Sequence, residues 1–306
     1  MSLHATQAPS LFNTAAMPYA AFDALPADLL KVGGGNIEVA FAPGELDLSQ
    51  ARIIAWISAS AHAVAAYYGR FPAKYTRVLI VPGVDRGVHA GTSYGYRGAA
   101  IKVNVGRATQ ETDLNNDWIM THEMVHLTFP SVADKHNWIQ EGIATYVEPI
   151  ARAQAGQLSA EQVWGDLVDK LPQGLPAKGD RGLDHTPTWG RTYWGGALFC
   201  LLADIDIRQR TANRYGLQDA LRAITARGNI EVRSSLPHTF RIGDQATGVP
   251  ALIELYERMK ATPVDANLAE LWRLLGVKVR GNVVLFDDAA PLAAIRHAIT
   301  RPAAAS

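Results

Sequence analysis

One stretch, residues 121–148, limits the possible folds of this chain more than any other. It carries the pattern His-Glu-x-x-His at 122–126, and Glu141 follows fifteen positions after His126. Residues four apart lie on one face of a helix, so His122 and His126 would present two imidazoles to one ion. Glu123 lies one position further round, beside the ion rather than among its ligands. The pattern predicts a zinc site with His122, His126 and Glu141 as ligands.

The residues around this pattern predict two helices joined by a short link. Apolar residues recur at helical spacing until Pro130, and four polar residues are candidates to cap the first helix: Asp113, Asn115, Asn116 and Asp117. We expect the second helix to begin at Asn137 with Gln140 as its capping-box partner, and Pro149 to close or kink it. Packed antiparallel, the two helices would bring Glu141 back to the histidines.

The predicted site has the parts of a hydrolase. Zinc with three protein ligands keeps a fourth position for water and lowers the pKa of that water towards about 7. Glu123 would take the proton and later pass it to a leaving amine. In the alternative interpretation, the histidines cap or hydrogen-bond within a core. A purely structural metal site needs ligands but no base, so Glu123 argues against that class.

These motifs resemble those of the gluzincin metallopeptidases of the peptidase MA group. Residues 138–144 read Trp-Ile-Gln-Glu-Gly-Ile-Ala, similar to the Trp-Leu-x-Glu-Gly-Phe-Ala segment of the aminopeptidase N-like and glycyl-aminopeptidase-like branches. Residues 192–197 are similar to their Tyr-x-Lys-Gly-Ala segment, whose tyrosine binds the oxyanion of the tetrahedral intermediate. The resemblance covers roughly residues 88–225. It implies a thermolysin-like zincin core, a zinc cofactor, a peptide or protein substrate, and Tyr193 as oxyanion donor.

The chain also departs from that family. The link between His126 and Glu141 is shorter than in aminopeptidase N relatives. Their Gly-Ala-Met-Glu-Asn segment, whose glutamate holds a substrate's free amine, is replaced by Gly-Thr-Ser-Tyr-Gly at residues 91–95, and their lysine by Gly195. These differences favour an endopeptidase or a narrow specificity and leave the choice open. In gluzincins a strand such as the one predicted at 99–105 lines the cleft, and its outer edge pairs with the substrate.

The remaining patterns predict an α+β fold in two parts. A small mixed-sheet lobe with the first zinc helix would occupy residues 1–130, and a mainly helical lobe with the third ligand would occupy residues 131–306. Residues 1–25 are expected to be irregular, and a Gly-rich loop is expected at 83–98. The predicted strands are 36–41, 75–81, 99–105 and a hairpin around 281–282. The other predicted helices are 47–68, 159–171, 192–209, 217–227, 249–260, 268–275 and 291–299.

Composition narrows the possible partners. Lys plus Arg equals Asp plus Glu, 29 each, which does not favour a nucleic-acid partner, and no apolar run is long enough to span a bilayer. Cys200 is the only cysteine, so no internal disulfide forms, and its apolar neighbours predict a buried side chain. No signal-peptide pattern is present, but the polar, Ala-rich start is typical of an exported protein after cleavage. We therefore expect a periplasmic or secreted location.

Several further residues keep two interpretations. The Gly/Pro-rich loop at 172–190 is expected to border the cleft, and its His185 is an alternative oxyanion donor to Tyr193. His89 is expected to be a solvated loop histidine, with a polar role near the site as the alternative. Glu148 either orients a ligating histidine or lies in solvent. As a whole, the chain is expected to be a zinc metallopeptidase. The alternatives are a zinc hydrolase acting on a non-peptide amide and a catalytically silent zinc-binding domain.

Overall fold

The computed structural model describes residues 17–281 and 283–302, and in this part of the chain a mixed five-stranded sheet packs with helices. The sheet strands are β1 (Ala27–Val32), β2 (Gly35–Phe41), β3 (Tyr75–Gly83), β4 (Val88–Tyr94) and β5 (Ala99–Gly106). Their order is β1-β2-β3-β5-β4. β2, β3 and β5 are parallel, whereas β1 and β4 are antiparallel to their neighbours. The predicted α+β class and the strands predicted at 36–41, 75–81 and 99–105 are confirmed.

The central strands are apolar along most of their length because both faces of the sheet are covered. The helices that precede the site are α1 (Tyr19–Ala24), α2 (Gln50–Tyr68) and α3 (Glu111–Asn115). Val78 and Ile80 of β3 belong to one buried cluster with Ile57 of α2. Leu79 of β3 belongs to a second cluster with Ala21 of α1. Alternate residues of one strand therefore pack against different helices, as expected of a strand buried on both sides.

The expectation of a loop at 83–98 is wrong, because β4 pairs with β5 over most of that stretch. β5 is consequently an interior strand, and β4 is the edge strand that could pair with an extended substrate. Glycine weakens strand propensity, which hid β4 in the sequence. β1 was not predicted, and α1 replaces part of the expected irregular start. The predictions for residues 1–16 and 303–306 lie outside the described residues.

Two helices carry the predicted zinc-binding motif. They are α4 (Ile119–His126) and α5 (Asn137–Gln154). The carboxylate of Asp117 accepts hydrogen bonds from the backbone amides of Ile119 (3.1 Å) and Met120 (3.0 Å) at the start of α4. The expected capping box at the start of α5 is wrong, since no side chain caps that end. Pro149 does not close α5, because the following turn, residues 150–154, is buried and held by packing.

The rest of the chain is largely helical, as predicted. A capping box at Ser159 begins the next helix, and a π-helical turn at Arg191–Gly195 opens the helix predicted at 192–209. The helix at 236–247 was not predicted, although proline in its first turn is a known start signal. The helices are α6 (Ala160–Lys170), α7 (Gly196–Arg210), α8 (Leu217–Arg227), α9 (Leu236–Thr247), α10 (Ala251–Met259), α11 (Leu268–Leu275) and α12 (Ala293–Thr300).

The predicted hairpin is also present. β6 (Val277–Arg280) pairs antiparallel with β7 (Val283–Phe286), while Asn282 of its turn lies outside the described residues. Cys200 is buried, as expected. The main buried cluster contains residues from the sheet and from the later helices. The division into two lobes at residue 130 stays a prediction. In the described ranges, no helix combines the length and apolarity needed to cross a membrane.

Candidate metal centre

The structure brings the three predicted ligands together. The rings of His122 and His126 project from one face of α4, with centroids 4.8 Å apart and planes at 85°. One carboxylate oxygen of Glu141 on α5, Oε2, lies 3.3 Å from Nε2 of His122 and 3.4 Å from Nε2 of His126. A single oxygen thus faces both imidazoles at nearly equal distance.

These distances match the spacing of ligands around zinc. Ligand bonds of about 2.0–2.2 Å at the tetrahedral angle place neighbouring ligand atoms about 3.4 Å apart. Glu123 also lies near the histidines, within 4.8 Å of their ligand atoms. Glu141 has the spacing of a ligand towards both imidazoles, and Glu123 adjoins the same histidines. Two imidazoles and one carboxylate are a donor set suited to catalytic zinc.

The contacts between Glu141 and the two histidines shift the pKa values of all three side chains. Burial acts to raise the pKa of Glu141, but the hydrogen bonds and charges of the two histidines outweigh it and hold this pKa well below its ordinary value. Burial lowers the pKa of His122 despite its contact with Glu141. For His126, the same contact outweighs burial, and the pKa is raised. The carboxylate is therefore ionised over the whole physiological range, as a zinc ligand must be.

Glu123 is held by the edge strand of the sheet. The hydroxyl of Ser93 on β4 donates to Oε2 of Glu123 at 2.7 Å and also lies 2.7 Å from the backbone oxygen of Glu123. Beside it, Gly91 leaves room for the Glu123 side chain, since a methyl group there would lie 2.4 Å from Cγ and 2.8 Å from Oε1. β4 therefore fixes both the position and the orientation of this carboxylate.

Tyr193 is an aromatic neighbour of the cluster. Its ring stacks on His122 (centroids 6.2 Å, planes at 17°) and on Trp189 (5.7 Å, 26°). Burial raises the pKa of Tyr193 to about 12, and the negative charge of Glu141 adds to the shift. The hydroxyl is therefore protonated and able to donate. Its π-helical turn is a feature often found at functional sites.

Two glycines set the distance between Tyr193 and Glu141. Gly142 follows Glu141 on α5, and Gly196 begins α7 three residues after Tyr193. A methyl group on Gly142 would lie 2.3 Å from the carbonyl carbon of Gly196, and one on Gly196 would lie 2.1 Å from the carbonyl oxygen of Trp138. The two helix backbones therefore touch, which only glycine permits at both positions.

A cavity of about 460 Å³ opens at the site. β4, the first residues of α4 and α5, Tyr193 and Ile230 form its walls, and the exposed ring of Trp118 lies on its rim, 5.2 Å from the ring of His122. Two further cavities, of about 560 and 340 Å³, lie elsewhere and are lined by no histidine among the described residues. The first borders the stretch 41–48, and the second lies against α2.

The loop at 172–190 does not line this cavity, contrary to expectation. The carboxylate of Asp184 ties the loop to the protein: it accepts from Trp138 Nε1 (2.8 Å) and the Tyr256 hydroxyl (2.9 Å), and lies 3.0 Å from His136 Nδ1. The loop reaches the site only through Trp189, which stacks on Tyr193. His185 is exposed and outside the cavity, so the alternative oxyanion donor is not placed to act.

Two other candidates differ from what the sequence predicted. His89 is exposed but belongs to β4 and lines the cavity. Glu148 fits neither of its interpretations, because it is buried and its carboxylate accepts from Arg152 at 2.9 Å. Burial raises the pKa of Glu148 to about 7, against the opposing charge of Arg152.

Sequence reasoning did not find Ser93 or Trp118. Ser93 contacts a residue thirty positions away through strand placement, so no local pattern marks it. For Trp118, the apolar spacing of the first zinc helix predicts a packed residue, whereas its side chain is 50% exposed and lines the cavity.

Solved structures with a similar fold exist, whereas no known protein family and no curated protein matches the chain by sequence. An aminopeptidase N family protein from Idiomarina loihiensis aligns with a TM-score of 0.61 and 12% identity, covering 84% of this chain and 50% of that one. A variant of a two-domain M1 zinc metallopeptidase, bound to L-arginine, aligns with a TM-score of 0.50 and 15% identity, covering 79% of this chain and 54% of that one.

At such identities the likeness establishes the fold alone. The fold of this chain is similar to that of zinc metallopeptidases of the M1 family, in line with the resemblance seen in the motifs. The chain spans about half the length of these structures.

Proposed function

We propose that this protein is a zinc-dependent peptidase, with His122, His126 and Glu141 as the metal ligands. The observation that carries the proposal is the position of Glu141 Oε2, 3.3 and 3.4 Å from the two imidazole nitrogens. This is the spacing of tetrahedral zinc ligands, and two helices joined by a short link produce it. The similarity to M1 zinc metallopeptidase folds supports the same chemistry.

Glu123 is assigned the role of general base. Zinc in this site would supply a Lewis acid and lower the pKa of a water molecule that it binds. Glu123 faces the same space, so its carboxylate would accept the proton of that water and return it to the leaving amine. Ser93 holds Oε2 of the carboxylate, which leaves Oε1 for the proton transfer and restricts rotation of the side chain.

Tyr193 is assigned the role of oxyanion donor. Its raised pKa keeps the hydroxyl protonated, and its stacking between His122 and Trp189 holds the ring in place. A donor aimed at the substrate's carbonyl oxygen stabilises the charge that develops there as the bond is attacked. β4 supports Glu123, and the π-helical turn carries Tyr193. The two groups would therefore reach the substrate from different elements that line the cavity.

Cleavage of a mixed peptide library tests this function. The zinc-loaded protein should cleave peptides, a chelator should abolish the cleavage, and added zinc should restore it. Glu123→Gln should keep its zinc while turnover falls by orders of magnitude, because the amide cannot accept the proton. Hydrolysis of non-peptide amides without peptide cleavage would reassign the substrate. Zinc binding without any turnover would leave a silent binding domain and refute the proposal.

A further inference from the structure

The charges in the cavity identify the kind of peptide that it can take. Among the described residues that line it, only Glu123 and Glu141 carry carboxylates, and none is a lysine or an arginine. Both carboxylates are already engaged: Glu123 with Ser93 at 2.7 Å, and Glu141 with both histidines. The other polar side chains of the cavity are either neutral or histidines.

An enzyme that removes terminal residues must hold a charged terminus. Moving an ammonium or carboxylate group from water into a cavity without a counter-charge costs several kcal/mol. An ammonium group held by Glu123 would occupy the base, and one held by Glu141 would compete with the metal. Likewise, the described residues that line the cavity include no lysine or arginine to pair with a C-terminal carboxylate. The site is thus suited to the neutral backbone of an internal segment, which Thr92, Asn137 and Gln140 can hydrogen-bond.

The rim of the cavity adds an apolar surface. Trp118 is 50% exposed, and with its neighbour Ile119 it forms one side of the opening. The rings of Trp118 and His122 make a T-shaped contact with centroids 5.2 Å apart. Only the His122 side chain therefore separates the indole from the proposed metal. A large exposed indole at that distance favours contact with an apolar or aromatic substrate side chain.

We propose that the cleft is that of an endopeptidase, which takes an internal peptide bond with an aromatic side chain beside it, packed against Trp118. This inference rests on the proposed zinc peptidase function. It names the substrate class: chains whose termini lie away from the scissile bond and whose residues next to that bond are apolar.

A pair of peptides with one sequence tests the first half. One hexapeptide with a central phenylalanine carries an acetylated N-terminus and an amidated C-terminus, and its twin carries free termini. Aminoacyl amides and dipeptides with a free amine complete the set. We expect internal cleavage of both hexapeptides with kcat/KM values within about threefold, and at least about 100-fold lower values for the aminoacyl amides.

The outcomes separate this inference from the function on which it rests. Stepwise release of N-terminal residues, with the blocked peptide resistant, would overturn the endopeptidase assignment and leave the zinc peptidase intact. Stepwise release from the C-terminus would overturn it in the same way. If the zinc-loaded protein cleaves no peptide of the set or of the mixed library, the proposed function fails and this inference fails with it.

The second half is tested by the variant Trp118→Ala and by a hexapeptide in which alanine replaces the central phenylalanine. The ratio of kcat/KM for the two peptides does not depend on how much of the enzyme is folded or metal-loaded. We expect that ratio to fall about tenfold in Trp118→Ala. Tyr75→Ala removes an exposed aromatic residue outside the cavity and should leave the ratio unchanged. An unchanged ratio in Trp118→Ala would overturn the assigned contact.

Discussion

Replacing Gly91 by alanine should displace the proposed base while leaving the metal ligands in place. The new methyl group would lie 2.4 Å from Cγ of Glu123, whereas carbon atoms in contact are about 3.5–4.0 Å apart. The side chain must therefore move by about 1 Å or more. Because the obstructed atoms belong to a side chain that borders a cavity, this movement relieves the clash at little cost to stability.

A shift of this size has a large effect on turnover. A misplacement of about 1 Å can cost about 100-fold in rate, which corresponds to about 2.7 kcal/mol of activation free energy. We expect kcat of Gly91→Ala to fall by at least that factor, with the melting temperature and zinc content close to those of the wild type. Steady-state kinetics on a cleaved peptide and metal analysis measure these quantities.

Gly83→Ala is the matched control. Gly83 also lies in a strand of the sheet, but a methyl group there would lie no closer than 3.8 Å to any atom beyond the two neighbouring residues in the chain. Its kinetics should equal those of the wild type. A raised KM with unchanged kcat in Gly91→Ala would mean that the methyl group blocks the substrate rather than moving the base. Unchanged kcat and KM would refute the reasoning about Glu123.

Substitutions at three other positions give separate tests. Ser93→Ala should lower kcat about tenfold with little change in KM, since it removes a hydrogen bond to the charged Glu123, and Ser93→Thr should recover most of the loss; equal kcat in both variants would contradict this role. Tyr193→Phe should lower kcat about 100-fold at full zinc content, and an unchanged kcat would reject the oxyanion role. Burial raises the pKa of Glu148 from 4.5 to about 7. Between these two pH values the folded protein keeps the proton of Glu148, whereas the unfolded chain releases it. The free energy of unfolding therefore decreases as the pH rises from about 4.5 to about 7. The stability of the wild type relative to Glu148→Gln, measured by urea unfolding, should fall by roughly 2–3 kcal/mol between pH 5 and pH 8; a constant difference would show that Glu148 titrates normally.

The clustering of the proposed ligands could be predicted because it follows from local rules. The positions of His122 and His126 on one helix face depend only on helical periodicity. The approach of Glu141 follows from two helices joined by a short link. The strands at 36–41 and 99–105 were found from their alternating pattern, and the strand at 75–81 from its continuous apolar run, which a sheet covered on both faces requires.

The structural features that the sequence did not reveal depend on contacts between distant segments. β4 lies in the glycine-rich stretch 83–98 and is stabilised by pairing with β5, so the composition of this stretch resembled a loop. The contact of Ser93 with Glu123 exists only because that pairing places β4 beside α4. The stretch 172–190 has the Gly/Pro-rich composition of a loop, but Asp184 attaches it to α5 and α10 by hydrogen bonds. The sequence does not reveal these contacts. Pro149 continues α5 because tertiary packing outweighs local propensity.

Zinc content tests the central claim most directly. The wild-type protein and Glu141→Ala, purified without a nickel column, would be analysed by mass spectrometry before and after incubation with zinc and dialysis. Glu148→Gln is the matched control, because Glu148 is a buried glutamate of the same helix that pairs with Arg152. We expect about one zinc per chain in the wild type and the control, and a loss of affinity of more than about 100-fold in Glu141→Ala. A folded wild type that holds no zinc and takes up none would contradict the proposed metal centre, and full zinc retention by Glu141→Ala would remove Glu141 from it.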